Sequence, residues 1–195
     1  MTKADLENAL RIIGGNWRSR KVSFADHIQI RPTPARVRET LFNWLQYHVA
    51  GSRCLELYAG SGILSLEALS RGARHVTLID AAAPICSHLR GVLQALAADP
   101  QSYTCISTTA LAYLQNNSET APFDLIFLDP PFDGNELTHI LPLLAAENLV
   151  TADGFVYIES AFAVDQQALP EGWQIHRQKR AGSVHYCLCR PAQQS

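Results

Sequence analysis

No Cys-x-x-Cys occurs among the five cysteines, at positions 54, 86, 105, 187 and 189, and no histidine pair has metal-ligand spacing. An odd, scattered set of thiols excludes a disulfide framework and a zinc site, and predicts reduced, buried cysteines in a cytoplasmic protein with no metal. No apolar run approaches the roughly 20 residues of a membrane span, so no membrane partner is expected. Residues Met1–Asp5 lack an apolar h-region and a small-residue cleavage site, which argues against a signal peptide. Repeats and low-complexity tracts are also missing. Charged residues are few, at 17%, while 47% are hydrophobic, which excludes a disordered chain. The 195 residues fit one medium domain that buries a core without staples.

The net charge of −2 conceals a gradient. Residues 1–50 carry eight Lys/Arg against four acids, residues 51–150 four against ten, and residues 151–195 four against four. A basic head on an acidic body suits a polyanionic partner.

The head contains Arg11–Trp17 and Lys21–Phe24, which resemble a small hairpin with Gly14 and Gly15 as its permissive turn or bulge. Thr33 then predicts an N-cap and Pro34 a first helical residue. Val37, Leu41, Trp44 and Leu45 recur at helical spacing, with Arg36 and Arg38 assigned to the other face. From residue 53 the pattern alternates. Strand-like runs at 53–58, 75–79, 103–107, 123–129 and 155–159 are separated by helix-like runs at 63–71, 84–97, 110–116 and 136–147. Such alternation predicts a parallel sheet with helices on both faces. Two further strands, 172–177 and 184–189, joined by Lys179–Ser183, predict a closing antiparallel hairpin, in which Cys187 and Cys189 share one face.

Two strand ends carry chemistry. Asp129-Pro130-Pro131-Phe132 follows the apolar run 123–128. The prolines fix φ and donate no hydrogen bond, leaving a stiff lip with free carbonyls, one carboxylate and one ring. That lip suits the amino group of a planar heterocycle. Leu55-Glu56-Leu57-Tyr58-Ala59-Gly60-Ser61-Gly62 closes the first strand and opens a helix, whose amino end and small residues admit a ligand closely. Asp80 follows Gly60 by twenty positions, where an open α/β fold sets an acid against ribose hydroxyls. Ser65 stands where a dinucleotide loop has its third glycine, and Glu56 suits an ammonium better than a pyrophosphate.

The Glu56–Gly62 loop, Asp80 and Asp129–Phe132 together resemble class I S-adenosylmethionine-dependent methyltransferases, of the branch acting on exocyclic or amide nitrogen. With Arg11–Gly15, Arg31-Pro32-Thr33, Arg36–Leu45 and Leu64–Ala73, the chain resembles the bacterial 16S ribosomal RNA guanine-N2 methyltransferases, the RsmD family. The resemblance implies a Rossmann-like, mostly parallel seven-stranded sheet at residues 31–195, with an RNA-binding hairpin extension at 1–30. It implies methyl transfer to guanine 966 (RNA numbering) of 16S ribosomal RNA, by a monomer acting on an assembling small subunit. In that reading Asp129, Pro130, Pro131 and Phe132 are catalytic. Glu56, Tyr58, Ala59, Gly60, Ser61, Gly62, Asp80, Ala81, Thr109, Ala110 and Asp129 hold S-adenosylmethionine. Arg18, Arg20, Lys21, Arg31, Thr33, Arg36, Arg38, Lys179 and Arg180 meet RNA, with Arg31 and Thr33 nearer the cofactor. The family often has Glu where this chain has Asp80, and no carboxylate follows the third strand at Ser107–Ala110 to hold adenine. The same lip also suits adenine N6 or a glutamine amide. A dehydrogenase and a binding module without turnover share the glycine loop but not Asp129–Phe132.

Overall fold

The central apolar strands are buried because a helix follows each of the first four and covers the sheet, whereas the edge strand at 103–107 buries only Cys105. The computed structural model describes residues 9–24, 32–116, 121–131 and 135–192. Arg31 and Phe132 lie outside the described residues. The strands are β1 (Ala9–Arg11), β2 (Lys21–Ser23), β3 (Arg53–Glu56), β4 (His75–Asp80), β5 (Tyr103–Ser107), β6 (Phe123–Leu128), β7 (Val150–Ser160), β8 (Trp173–Ala181) and β9 (Val184–Pro191). The helices are α1 (Ala35–Trp44), α2 (Ile63–Ser70), α3 (Ala83–Ala95), α4 (Ala110–Asn116) and α5 (Glu136–Ala146).

β1 and β2 form a separate antiparallel pair. The other seven strands make one sheet in the order β5-β4-β3-β6-β7-β9-β8. β5 through β7 are parallel, and β9 and β8 close the sheet antiparallel. This is the predicted architecture, with a topological switch between the neighbours β3 and β6. Open α/β sheets bind ligands in the crevice outside the carboxyl ends of such a pair. One core packs Val37, Leu41, Phe42, Leu64, Leu78 and Phe127, and the other packs Leu55, Ile126, Ile140, Leu144 and Ile158. Burial of each such side chain contributes about 1.5–3 kcal/mol. All five cysteines are free and buried.

Several local expectations need correction. α1 begins at Ala35, and Thr33 does not cap it. The Thr33 hydroxyl instead donates to Glu159 Oε2 at 2.5 Å. β8 runs through Ala181, so Lys179 and Arg180 belong to an edge strand and not to a turn. The hairpin glycines serve a close approach. A Cβ on Gly15 would stand 1.8 Å from the Ser70 carbonyl oxygen, and one on Gly14 would stand 2.4 Å from the Arg71 guanidinium.

That approach docks the hairpin on the end of α2. Glu67, fully buried, accepts from Ile13 N at 2.8 Å and pairs with Arg38 Nη1 at 2.6 Å and Arg71 Nη2 at 3.3 Å. Arg38 also donates to the carbonyls of Thr33 and Arg11. Asn16 N donates to Ser70 O and Trp17 N to Ser70 Oγ. Trp17 packs against the core instead of standing free for a base. Arg38, expected on the RNA-facing side of α1, is 2% exposed and is an internal strut. Its guanidinium could enter the interior because Glu67 and two carbonyls satisfy it.

Candidate active site

The carboxyl ends of β3, β4, β6 and β7 each finish in or beside an acid: Glu56, Asp80, Asp129 and Glu159. Glu56 pairs with Phe127 in register, and Leu57 N donates to Phe127 O, so the loop after β3 and the lip after β6 open side by side. Leu128 pairs with Ile158, which makes Asp129 and Glu159 the next neighbours across β6 and β7. Adjacent strands are about 4.8 Å apart.

Glu56 is 5% exposed and accepts from Ser65 N at 3.1 Å, capping the first turn of α2 from the strand beneath. Gly62 precedes that helix with φ of 66°, and a Cβ there would meet Leu89 Cδ2 at 2.5 Å. Both facts demand glycine. Asp80 staples the loop edge: Oδ2 accepts from Gly60 N and Oδ1 from Ala82 N, both at 2.9 Å. Ala59 N donates to Ile79 O, and Thr108 N to Asp80 O. The Tyr58 hydroxyl donates to Glu136 Oε2 at 2.8 Å, bridging to α5. Ser61 and Ala110 are buried, and Ala81 is exposed beside Asp80. Thr109 Oγ1 accepts from Ala112 N at 3.2 Å at the start of α4, which leaves its O–H free to donate. Pro130 is buried and Pro131 exposed.

The electrostatics are unusual. Among the described residues the ion pairs are Arg38–Glu67 and Arg71–Glu67, and none of them includes Glu56, Asp129 or Glu159. Glu56, Asp129 and Glu159 therefore face one another without a described cation. Burial pushes the Glu56 carboxyl up to about 8. Asp129 rises to about 8, first through burial and then through the charges of Glu159 and Glu56. Glu159 is raised by burial, against the opposing hydrogen bonds from Thr33 and Tyr157. The Tyr157 hydroxyl, buried beside Glu159, is itself raised well above its ordinary value, first by burial and then by the charge of Glu159. A pocket of desolvated acids that lacks a counter-charge among the described residues suits a cationic ligand.

Glu159 was not singled out from the sequence. The signal was present: an acid ending an apolar strand, the same pattern that marked Glu56 and Asp129. Thr33 also needs correction as an RNA contact, since it is 4% exposed and spent on Glu159. Arg18, Arg20, Lys21, Arg36, Lys179 and Arg180 are exposed. The structure does not gather them at one place. The hairpin loop docks on Ser70 at the end of α2, and Arg20 Nη2 donates to Ala95 O at the end of α3. Both helix ends lie at the amino edge of the sheet, roughly 20 Å of strand away from Asp129. Arg36, in the first turn of α1, and Arg180, at the end of β8, stand at the carboxyl edge.

A protein-family model described as conserved hypothetical protein 95 matches residues 10–190. The chain belongs to this family. That agrees with the RsmD resemblance read from its motifs. A relative in Haemophilus influenzae, called ribosomal RNA small subunit methyltransferase D, is 36% identical over 192 residues, covering 96% of this chain and 98% of its own. The Escherichia coli protein of the same name is 38% identical over 179 residues, covering 92% and 88%. The solved structure of Escherichia coli yhhF superimposes with a TM-score of 0.84 at 36% identity, covering 95% of this chain and 99% of that one. Family membership thus spans the hairpin, the crevice and the closing strands together.

Proposed function

We propose that this protein transfers a methyl group from S-adenosylmethionine to the exocyclic N2 amino group of a guanine in 16S ribosomal RNA, guanine 966 by family resemblance. The observation that carries this reading is the trio of buried Glu56, half-buried Asp129 and buried Glu159, gathered at the carboxyl edge beside the switch point without a described cation. When bound, S-adenosylmethionine supplies a methyl group activated by a sulfonium, and its positive charges match the acids. Asp80 is the residue for its ribose diol, Glu56 for its ammonium, and the Gly60–Gly62 backbone and the Thr109–Ala110 turn for the remainder.

The chain's own part is to prepare the nucleophile. A guanine amino nitrogen delocalises its lone pair into the ring. Asp129 and the Pro130 carbonyl each accept one N–H, which favours a tetrahedral nitrogen with its lone pair directed along the transfer axis. Pro131 keeps the lip stiff, and Phe132 stacks on the base. Positioning and prearranged acceptors for the charge developing on nitrogen provide most of the acceleration. Asp129 takes the proton that leaves nitrogen. The target base leaves its stack to enter the crevice, as enzymes acting on bases require. Arg18, Arg20 and Lys21 on the hairpin, and Arg36 at the crevice, hold RNA phosphates on either side of the sheet.

The test is to map methylated guanines in small-subunit ribosomal RNA from cells lacking the protein, then restore the mark in vitro with purified protein and S-adenosylmethionine. Loss and recovery of one N2-methylguanine is expected. An intact guanine pattern, or a lost mark on adenine, overturns the assignment.

A further inference from the structure

Phe162 is 80% exposed, whereas Phe42, Phe123, Phe127 and Phe155 are at most 3% exposed. It sits two residues beyond β7, whose carboxyl end bears Glu159, the neighbour of Asp129. The other strongly exposed ring among the described residues, Tyr47, lies in the turn leading to the opposite edge of the sheet. The segment carrying Phe162 is tied down. Ser160 Oγ donates to Phe162 O at 2.5 Å, and Gln178 Nε2 donates to Val164 O at 3.1 Å. An apolar ring left in water on a bonded turn is a prepared contact rather than a packing failure.

Its surroundings identify the occupant. Gln178 and Arg180 share one face of β8 by strand alternation, so the turn that Gln178 holds passes beside Arg180. Arg180 pairs in register with His185, and His185 with Ser160. β7, β9 and β8 therefore set Phe162, His185 and Arg180 along about 10 Å of the carboxyl edge, one strand beyond the lip. Lys179, by the same alternation, faces the other side of β8, its Nζ 5.9 Å from the Trp44 ring centre. A flat apolar platform beside an exposed guanidinium is what single-stranded nucleic acid uses for stacking plus phosphate contact.

We infer that Phe162 stacks on an unpaired nucleobase flanking the target guanine, while Arg180 holds an adjoining phosphate, so that the closing hairpin and the turn after β7 form the RNA-docking rim of the crevice. This rests on the RNA reading above and adds to it a location and a stacking residue.

The experiment uses small ribosomal subunits isolated from cells lacking the protein, with S-adenosylmethionine labelled in its methyl group. Phe162→Ala should raise KM for the subunits about tenfold, the range that loss of one stacked base produces. The S-adenosylmethionine Kd, measured by calorimetry, should stay within twofold. Phe162→Trp should restore KM. Arg180→Gln should lower the slope of log KM against log salt by about one. An unchanged KM in Phe162→Ala, with wild-type protein active, overturns this inference alone. Wild-type protein that methylates no ribosomal RNA overturns both the inference and the function it rests on.

Discussion

Thr33 and Glu159, 126 residues apart, meet through a 2.5 Å hydrogen bond inside the protein. The bond joins the entry of α1 to the acid beside Asp129, and it favours the charged form of Glu159. Thr33→Val keeps the volume and removes the donor. Leaving a buried carboxylate short of one partner costs about 1–3 kcal/mol. Thermal or urea unfolding at pH 8 should register that loss, and the loss should be smaller at pH 5, because burial raises the Glu159 carboxyl and makes it take up a proton more readily as pH falls. A loss of equal size at both pH values contradicts the role given to the bond.

Asp129 and Glu56, both pushed up to about 8, bind protons more tightly in the folded chain than in the unfolded one. Their contribution to stability is therefore present below the unfolded carboxylate range, about 4, and is lost as pH rises to about 8. Asp129→Asn removes that loss. The ligand-free variant should be more stable than wild type at pH 8, on the order of 2 kcal/mol, and nearly equal at pH 4.5. Turnover should fall at least about a hundredfold, since the amide keeps an acceptor oxygen but carries no charge and takes no proton from nitrogen. Full activity in Asp129→Asn sinks the proton-accepting role given to Asp129.

Cofactor binding should expel protons. A cation entering a site of protonated, desolvated acids draws them into the charged form, so affinity for S-adenosylmethionine should rise with pH from 6 towards about 8. Calorimetry at pH 7 in two buffers of different ionisation enthalpy reads the released protons directly. Zero net release contradicts the uncompensated-acid account.

Asp80→Asn separates the staple from the ligand contact. The amide oxygen still accepts one of the two backbone bonds that Asp80 makes to Gly60 and Ala82. S-adenosylmethionine affinity should drop about tenfold, the worth of a hydrogen bond to a charged group. An unchanged Kd in a folded variant contradicts the ribose assignment.

Arg38 and Arg36 should behave oppositely despite their spacing of two on one helix. Arg38→Ala leaves buried Glu67 with Arg71 and Ile13 alone and should cost about 3–5 kcal/mol. Arg36→Ala should leave stability within about 0.5 kcal/mol and reduce the salt slope of RNA binding. Equal destabilisation by the two removes the distinction.

The alternation of apolar and helical runs was enough to read the sheet, because each buried parallel strand is a short apolar block with a helix after it. Glu56, the glycines and Asp80 were legible for a similar reason: ligand loops follow strand ends at stereotyped distances. Arg38 was not legible. Its partner Glu67 lies on a helix buried on every side, so α2 shows no polar face to signal what its acid would pair with. Thr33 carried a strong capping signal that lost to a longer-range bond, since a buried carboxylate needs a donor more than an exposed helix start does. Gly14-Gly15 suggested a permissive turn or bulge, and Gly15 does take a φ of 74°, but a second demand came from Ser70 and Arg71, more than fifty residues away in the chain.

α2 is eight residues long, about 12 Å, and every residue of it is buried. Its front is bolted to β3 through Ser65 and Glu56, and its back to the hairpin through Glu67 and Ser70. Such a short rod, gripped at both tips and along its flanks, has no slack. A displacement of the hairpin is therefore passed along this rod to the glycine loop, which ties the two ends of the sheet mechanically.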